Sequence, residues 1–551
     1  MRLVERRIGL LFAAFFLCFS VIVARALWLQ GVRGGALASE ASYQQSETVT
    51  VPGLRGTVYD RRGAELAVSE DAASVYATPY QVKDPERTAE RLQPLLGVSK
   101  DDLLKALTAS NGFSYLAHEV DVPTAEKIKK MKLPGIGTLP DSRRIYPQGN
   151  IAAQVLGAVG SENQGLSGLE SGEQDVLGGT DGEERIVNDA LGEPIRLDTL
   201  RGAQDGQDIK TTIDSAIQTR TEQVLAQVGS DYQARGATAI VMDPRNSHIL
   251  AMANWPGVDL KDLSSASPRD LENQATGFTY EPGSTFKAFT VAGALEDKVV
   301  TPSTSFYLPP TIKVADRTIG EAEDRGAEDL TVSQILAQSS NVGAVTIGLK
   351  LGARKFSQWV TRFGFGRKTG VQYPAEEGGI VPSYADYSGS SIGNLPIGQG
   401  ISVTPIQMMT AYAAIANGGI LRRPQLITDI DGKPVEEPPG HRVIKPWVSS
   451  EVRKMLEGVL APGGTASEVT VPGYTLAGKT GTAQVAEDGG YSKTKFVASF
   501  IGFAPADNPQ LLVAVIVDQP QGTDYFGGSV AAPAFGEIAS FALPYLGIPP
   551  D

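Results

Sequence analysis

The chain has 551 residues, of which 42% are hydrophobic, and this length favours about two to four folded units. Its formal net charge of -13 argues against nucleic acid or an anionic membrane surface as the main partner, because no basic tract follows the first residues. One cysteine and three scattered histidines disfavour a disulfide framework, a zinc site, a Ser-His-Asp triad and redox chemistry. We therefore expect no metal and no cofactor.

The N-terminus contains an uncharged apolar run at residues 8–24, preceded by three arginines and followed by Trp28. Such a run, flanked by an aromatic residue, predicts a membrane anchor over residues 8–28. The basic tail of residues 1–7 predicts a cytoplasmic N-terminus in the inner or plasma membrane, a single pass, and an extracytoplasmic remainder. A cleaved signal peptide is the alternative, since residues 24–26 have the A-x-A form.

Residues 45–205 alternate short β-rich runs with helical segments such as 85–96 and 123–131, interrupted by glycine and proline. This pattern predicts a loop-rich α+β domain. Within it, Arg55–Gly63 (RGTVYDRRG) reads, when taken alone, as an ordinary hairpin. The Gly- and Asp-rich residues 202–208 suit a linker to the next domain.

Residues 210–551 begin with apolar side chains at helical spacing over 214–228. Two β-like runs joined by a turn within 236–253 predict a hairpin, and two more within 496–518 repeat the pattern. Strands at both ends with helices between them predict one antiparallel sheet that is flanked by helices. The fold class is therefore α+β.

Ser284 and Lys287 form an S-x-x-K motif at the predicted first turn of a buried helix, which places both on one face. A buried lysine with a lowered pKa can activate a serine, and the helix N-terminus favours developing negative charge. The motif alone is weak evidence. Ser492–Lys495 repeats it in a polar stretch, and a capping serine beside a solvated lysine explains Ser284 equally well.

Two more motifs follow Ser284 along the chain. Ser339-Ser340-Asn341 comes 55 residues later and supplies a hydroxyl and an amide, although S-x-N is more often a cap or a turn. Lys479–Thr482 (KTGT) comes a further 140 residues on. Its lysine and hydroxyls suit a carboxylate, and its glycine lets a substrate backbone approach, although a bland strand end is the alternative.

S-x-x-K, S-x-N and K-T-G in this order resemble the signature of the penicilloyl-serine transferases. With Arg55–Gly63, Gly165–Glu170 and Ile397–Pro405, they make the chain similar to class B penicillin-binding proteins, monofunctional peptidoglycan D,D-transpeptidases, over nearly its whole length. The stretches 503–509 and 525–533 most resemble the division-type (FtsI-like) branch.

The resemblance implies a serine β-lactamase-like transpeptidase domain over 210–551, preceded by a pedestal, or dimerisation-like, domain and the anchor. It implies that Ser284 attacks the bond between two terminal D-alanines of a stem peptide. Lys287 would be the base, Ser339 a proton relay and Asn341 a ligand of the donor's amide. Lys479, Thr480 and Thr482 would bind the substrate's terminal carboxylate, and Gly481 would also contact the substrate. The backbone N–H groups of Ser284 and Thr482 would form the oxyanion hole.

The partners that the resemblance implies are peptidoglycan stem peptides, β-lactam antibiotics as inhibitors, and a SEDS-type membrane glycosyltransferase with other divisome proteins. An elongation-type transpeptidase, a β-lactamase and a non-catalytic scaffold or β-lactam sensor are the alternatives. Two departures concern the pedestal rather than the chemistry. Arg62 stands where many relatives have asparagine, and residues 168–179 are unusually rich in glycine and acids.

Overall fold

The computed structural model describes residues 2–32, 46–188, 194–263, 266–487 and 490–551. The chain forms two compact units. The first unit comprises Met1–Leu54, Glu70–Arg143 and Gly179–Gly206. The second comprises Arg55–Ser69, Arg144–Gly178 and Gln207–Asp551.

The helices are α1 (Arg2–Leu27), α2 (Pro85–Leu96), α3 (Lys100–Leu107), α4 (Val122–Lys130), α5 (Ala153–Leu156), α6 (Gly168–Gly172), α7 (Gln174–Leu177), α8 (Ser215–Asp231), α9 (Pro268–Leu271), α10 (Gln274–Gly277), α11 (Lys287–Glu296), α12 (Val332–Ala337), α13 (Asn341–Leu351), α14 (Ala353–Arg362), α15 (Ser391–Asn394), α16 (Pro405–Ala416), α17 (Pro446–Glu457) and α18 (Gly527–Tyr545).

The strands are β1 (Ser46–Val51), β2 (Val58–Tyr59), β3 (Glu65–Ala77), β4 (Ser114–Asp121), β5 (Ile136–Ile145), β6 (Gly182–Asn188), β7 (Pro194–Arg201), β8 (Ile209–Thr211), β9 (Gly236–Asp243), β10 (His248–Trp255), β11 (Ser305–Leu308), β12 (Thr311–Val314), β13 (Arg317–Gly320), β14 (Glu328–Thr331), β15 (Ile420–Leu421), β16 (Ile427–Ile430), β17 (Lys433–Pro434), β18 (His441–Arg442), β19 (Ala477–Glu487), β20 (Gly490–Ala504) and β21 (Leu511–Asp518).

Helix α1 begins the first unit and continues as a π-helical turn over Trp28–Val32. Within the described residues, Val4–Val32 is the one helical stretch long and apolar enough to cross a membrane, with a mean hydropathy of 2.4. None of it is buried against the rest of the chain. The apolar run predicted as an anchor lies inside this helix.

The rest of the first unit contains a small apolar core between strands β3 and β4 and helices α2, α3 and α4. Leu92, Leu103 and Leu107 are buried in it. Helix α2 spans the predicted residues 85–96 because Asp84 caps its N-terminus, proline occupies its first position and Gly97 ends it in the left-handed region. Strands β1, β6 and β7 form a separate antiparallel sheet.

The second unit is built on a five-stranded antiparallel sheet in the order β10-β9-β21-β20-β19. Strand β21 is buried on both faces, so its alternate side chains enter two different cores. Val513 and Val515 point to the core that holds helices α8 and α18, whereas Leu512 and Ile516 point to the core that holds helix α16. The predicted α+β class, with a central antiparallel sheet flanked by helices, is confirmed.

The predicted hairpins and first helix of the second unit are also present. Strands β9 and β10 pair around the turn at 244–247, and β20 pairs with β21. Helix α8 begins where predicted because the Asp214 carboxylate accepts the N–H groups of Ala216 and Ile217. Strands that are far apart in the sequence thus pair in one sheet.

Arg55 lies in a buried charge network that joins two stretches shared with the family. The Glu170 carboxylate accepts the Arg55 Nε–H and the Arg144 Nε–H, both at 2.8 Å. Side chains of Arg55 and Glu170 are fully buried, so each charge depends on the other for compensation. All three residues belong to the second unit, although they fall within the pedestal domain predicted over 45–205. The domain boundaries therefore stay a prediction.

Arg62, the residue that departs from the asparagine of many relatives, has two partners in the second unit. Its Nε lies 3.3 Å from the Asp214 carboxylate, and its guanidinium lies 4.5 Å from the centre of the Tyr545 ring. Arg62 therefore connects the Arg55–Gly63 hairpin to helices α8 and α18.

Candidate active site

Ser284 lies in a short 3₁₀ turn, Gly283–Phe286, called the serine turn below, which runs directly into helix α11. Ser284 is partly exposed, whereas most of α11 is buried. Gly283 has a φ of +54°, and a Cβ built on it would lie 3.2 Å from the Ala483 Cβ and from the Thr482 carbonyl oxygen. Glycine here therefore allows strand β19 to lie against the serine turn.

Lys287 is the first residue of α11, and its side chain is buried. Its Nζ donates to the Ser339 carbonyl oxygen at 2.5 Å, to the Asn341 Oδ1 at 2.7 Å and to the Ser339 Oγ at 3.3 Å. None of these bonds goes to the Ser284 hydroxyl. The S-x-x-K and S-x-N motifs therefore meet at one amine, which contacts residues 52 and 54 positions further along the chain.

The charge of Lys287 is set by its surroundings. Burial lowers the pKa of the Lys287 ammonium to about 7, the nearby Glu321 carboxylate raises it and the Arg325 guanidinium lowers it. A large fraction of this amine is therefore neutral near pH 7, when it can accept a proton.

The turn Ser339–Asn341, called the S-S-N turn below, joins helices α12 and α13. Ser339 has a φ of +59°, in the left-handed region, and this reverses the chain between the two helices. Ser340 caps α13, because its Oγ accepts the Gly343 N–H at 2.9 Å. The capping role expected for such a motif is thus taken by the middle residue, which leaves Ser339 and Asn341 facing Lys287.

Lys479 lies on β19, at one edge of the central sheet. It is fully buried, and its Nζ donates to the Thr480 carbonyl oxygen at 3.1 Å and to the Thr480 Oγ1 at 3.3 Å. Burial, and then the charge of Lys287, hold the pKa of Lys479 well below its usual range. The Thr465 and Thr480 hydroxyls lie 2.7 Å apart. This arrangement leaves a buried amine and hydroxyls beside Lys287.

Gly481 and Thr482 continue β19 past the serine turn. A Cβ built on Gly481 would lie 2.4 Å from the Ser499 Oγ and 2.9 Å from the Thr285 Cγ2, so only glycine fits. The Thr482 Oγ1 accepts the Gly527 N–H at 3.0 Å, which ties β19 to the start of α18. The serine turn and the edge strand are therefore in direct contact.

The segment 397–405, which resembles the family, packs on the other side of the serine turn. The Gly283 N–H donates to the Gly398 carbonyl oxygen at 3.1 Å. The Glu281 Oε1 accepts the Gly400 N–H at 2.9 Å. Burial raises the pKa of the Glu281 carboxyl. The serine turn is thus held between segment 397–405 and strand β19.

Two charged residues beside the S-S-N turn have no marker in the sequence. Glu321 accepts hydrogen bonds at the start of α13, and Arg325 donates to the Gln338 carbonyl oxygen. Both lie in a polar loop of mixed charge, which from sequence alone reads as solvated. Capping boxes are recognisable because their partners are three residues apart, whereas Glu321 caps a helix 20 residues downstream.

Comparison with known proteins gives the same family for both parts of the chain. The chain matches the family model of the penicillin binding protein transpeptidase domain over residues 237–540, and that of the penicillin-binding protein dimerisation domain over residues 50–211. It is 36% identical to stage V sporulation protein D of Bacillus subtilis, with 98% of this chain and 86% of that protein aligned. It is 32% identical to the peptidoglycan D,D-transpeptidase FtsI of Escherichia coli, with 99% and 92% aligned.

Solved structures are similar as well. Penicillin-binding protein 3 from Mycobacterium tuberculosis, in a complex with aztreonam, matches with a TM-score of 0.72 and 28% identity over 91% of this chain and 98% of that chain. The fold and both family matches define an enzyme, a serine-type acyltransferase of the transpeptidase class. The chain belongs to the class B penicillin-binding proteins, the peptidoglycan D,D-transpeptidases, which confirms the resemblance seen in the sequence.

Proposed function

We propose that this protein cross-links peptidoglycan stem peptides through an acyl-enzyme on Ser284, in the septal cell wall. The observation that carries the proposal is the buried Lys287 amine, which has a pKa of about 7 and lies one helical turn from a partly exposed serine. A serine needs such a base to become a nucleophile near neutral pH.

Acylation uses the three motifs together. Neutral Lys287 takes the proton as the Ser284 Oγ bonds to the carbonyl carbon of the penultimate D-alanine. The C–N bond then breaks, and the terminal D-alanine leaves with a proton that reaches its amine through the Ser339 hydroxyl. Asn341 holds the donor's amide. The hydrogen bonds from Lys287 support these roles, because they bring the Ser339 hydroxyl and the Asn341 amide oxygen into contact with the proposed base.

Strand β19 binds the substrate's carboxylate. Lys479, Thr480 and Thr482 supply a cation and two hydroxyls, and an incoming carboxylate raises the lowered pKa of Lys479 so that the amine becomes charged. Gly481 lets the substrate backbone approach. The backbone N–H groups of Ser284 and Thr482 form the oxyanion hole, each worth about 2.7–4 kcal/mol in the transition state.

An amine of a neighbouring stem peptide resolves the acyl-enzyme. Its nitrogen attacks the ester carbon and its proton passes to the lysine, which returns it to the Ser284 Oγ as the ester C–O bond breaks, and this completes the cross-link. A β-lactam enters as a mimic of the D-Ala-D-Ala unit and acylates Ser284. Because its ring-opened product stays attached and blocks the acceptor, we expect inhibition. The aztreonam complex of the Mycobacterium tuberculosis protein supports this expectation.

We propose that the N-terminal helix anchors this chemistry to a membrane. Val4–Val32 is long enough to span the inner or plasma membrane, and the basic N-terminal tail favours a cytoplasmic N-terminus with an extracytoplasmic catalytic domain. We propose a SEDS-type glycosyltransferase and other divisome proteins as partners in that membrane. Pull-down of such a polymerase with the full chain, and its loss when α1 is exchanged for an unrelated membrane helix, tests the pairing.

A turnover assay tests the proposed reaction. The full-length protein in detergent is given a donor ending in D-Ala-D-Ala and a stem-peptide amine, and D-alanine release and the cross-linked product are measured by mass spectrometry. We expect both products from the wild-type chain and neither from Ser284→Ala. Rapid hydrolysis of β-lactams would instead support a β-lactamase, and no turnover by an acylated protein would support a scaffold or sensor.

The septal role is tested in cells. The C-terminal stretches 503–509 and 525–533, which resemble the division-type branch, support it. Depletion of the protein should give filaments that still elongate but do not divide. Round cells after depletion would contradict the septal role and favour the elongation-type alternative.

A further inference from the structure

Glu321 binds the S-S-N turn from one side. It follows strand β13, and its carboxylate accepts the Ser340 Oγ–H at 2.5 Å, the Asn341 N–H at 2.6 Å and the Val342 N–H at 3.2 Å. Three donors at the N-terminus of α13 therefore converge on one negative charge. Such charge-assisted bonds are shorter and stronger than neutral ones.

The residue before Glu321 orients the Asn341 amide. The Asn341 Nδ2–H donates to the Gly320 carbonyl oxygen at 3.1 Å, which turns the amide oxygen toward the Lys287 Nζ at 2.7 Å. The opposite amide orientation would place donors against the lysine and an oxygen against a carbonyl. Gly320 and Glu321 thus determine both the position and the orientation of the group that Lys287 contacts.

Arg325 binds the same turn from the other side. Its guanidinium donates to the Gln338 carbonyl oxygen at 2.8 Å and to the Gln338 Oε1 at 3.2 Å. Gln338 immediately precedes Ser339, which holds the left-handed backbone conformation. The S-S-N turn is therefore fastened at the residue before Ser339 by a cation and at the residues after it by an anion.

We propose that Glu321 and Arg325 are positioning residues, which form a charged clamp that holds Ser339 and Asn341 in contact with Lys287 for acylation. The proposal rests on the proposed function, in which Lys287 is the base. The clamp has a second consequence, because its two charges act on the lysine in opposite directions. Glu321 raises the pKa of Lys287 and Arg325 lowers it, while Lys479 faces the lysine from strand β19.

The clamp differs from an ordinary helix cap in what its removal changes. Loss of a cap alone lowers stability and leaves the pH dependence of acylation in place. Loss of the Glu321 charge also lowers the pKa of Lys287, so the acidic limb of the acylation profile moves to lower pH. Loss of the Arg325 charge moves that limb to higher pH. Opposite displacements from two neighbouring residues identify an electrostatic clamp.

The test measures the second-order rate constant for acylation by a fluorescent penicillin between pH 5.5 and 9, with melting temperature in parallel. The full-length chain in detergent is compared with Glu321→Gln, Glu321→Asp, Arg325→Gln and the control Glu323→Gln. Glu323 is exposed in the same loop, and the control makes the same charge change away from the S-S-N turn. Glu321→Asp keeps the charge and tests rescue.

We expect Glu321→Gln to lower the plateau rate by about tenfold or more, because the charge-assisted hydrogen bonds that hold the S-S-N turn become weaker, neutral ones. The acidic limb should move by roughly one pH unit, downward for Glu321→Gln and upward for Arg325→Gln. Glu321→Asp should keep the wild-type limb, and Glu323→Gln should match the wild type in rate.

Three results would overturn the clamp. One is a wild-type rate and profile in Glu321→Gln. The second is a loss of rate that parallels the loss of melting temperature while the acidic limb stays at the wild-type pH. The third is an acidic limb that moves in the same direction in Glu321→Gln and in Arg325→Gln. If Glu321→Gln does not fold, Arg325→Gln is compared with Glu321→Asp instead. An acidic limb that stays at the wild-type pH in Arg325→Gln then contradicts the clamp. A wild-type chain that is never acylated would overturn the proposed function itself, and the clamp with it.

Discussion

The chain contains two Ser-x-x-Lys motifs that differ in almost every physical respect. Ser284 and Lys287 lie where a turn enters a helix, so residues three apart share a face. Ser492 and Lys495 lie on strand β20, where residues three apart point to opposite faces. There, the buried Ser492 Oγ accepts the Lys495 N–H at 3.3 Å, and the Lys495 Nζ, half exposed, pairs with Glu487 at 2.8 Å.

The comparison teaches that the motif gains reactivity from residues outside it. Lys287 is buried and contacts Ser339 and Asn341, whereas Lys495 is solvated and has a carboxylate partner. A base must lie against the groups that it serves, as the Lys287 amine lies against the S-S-N turn. Both motifs have a serine and a lysine three residues apart, and their secondary structure and long-range contacts distinguish them.

The largest expected effect is on labelling by fluorescent penicillin. Ser284→Ala removes the nucleophile, so covalent labelling of the full-length chain should fall to background on a denaturing gel. Ser492→Ala, the matched change in the other motif, should leave labelling within about twofold of the wild type. Labelling that survives Ser284→Ala and disappears in Ser492→Ala would reverse the comparison.

Substitution of the two lysines should change the acylation rate by almost as different amounts. Lys287→Met removes the base while it keeps a similar volume, so the acylation rate should fall by about 10²–10⁴-fold. Lys495→Met removes only an exposed ion pair, and its rate should stay within about twofold of the wild type. Stopped-flow acylation measures both. Equal losses in the two variants would show that the burial of Lys287 has no part in the rate.

The close packing of strand β19 against the serine turn is the next feature of the Ser284 motif. Gly481→Ala puts a Cβ within 2.4 Å of the Ser499 Oγ and 2.9 Å of the Thr285 Cγ2, so Ser499 and the Thr285 side chain of the serine turn must shift. We expect a loss of acylation of about 10- to 100-fold and a destabilisation of about 1–3 kcal/mol.

Gly490→Ala is the control for that substitution. Gly490 begins the partner strand β20, and no atom of the described residues lies within 4 Å of a Cβ built there. Acylation rate and chemical denaturation are measured for both variants. A wild-type rate in a folded Gly481→Ala chain would contradict the close approach of β19 to Ser284.

The smallest expected effect is a pH dependence of the acylation rate that is set by Lys287. Lys287 is the acceptor only when neutral, so the acylation rate rises as pH increases through its pKa of about 7. At one unit below the pKa, about a tenth of the amine is neutral, and the rate should be about tenfold lower than the plateau. Lys495→Met should keep this profile. A rate that is flat from pH 5.5 to 8 would exclude Lys287 as the base.

Much of the fold and the motif residues could be predicted from sequence because their signals are local. The helix over 85–96 has a capping aspartate and a terminal glycine, and helix α8 has Asp214 at its start. The order of the three motifs along the chain predicts that Ser284, Ser339 and Lys479 belong to one site. Alternation of β-rich runs and turn residues predicted the two hairpins of the central sheet.

Other features depend on contacts between distant residues and have no local signal. Glu321 and Arg325 lie in a polar loop, and only the folded chain brings the S-S-N turn onto it. Arg55 and Glu170 are 115 residues apart, and their buried ion pair lies within the second unit, although the sequence assigns both residues to the pedestal. A composition-based boundary cannot detect such a pair.

The most direct test of the central claim is the site of acylation in the wild-type chain. The full-length protein is treated with benzylpenicillin, its intact mass is measured, and the modified peptide is mapped by fragmentation. We predict one adduct with the mass of the intact drug, on Ser284. An adduct on Ser492, or a mapped site on any other residue, would contradict the account.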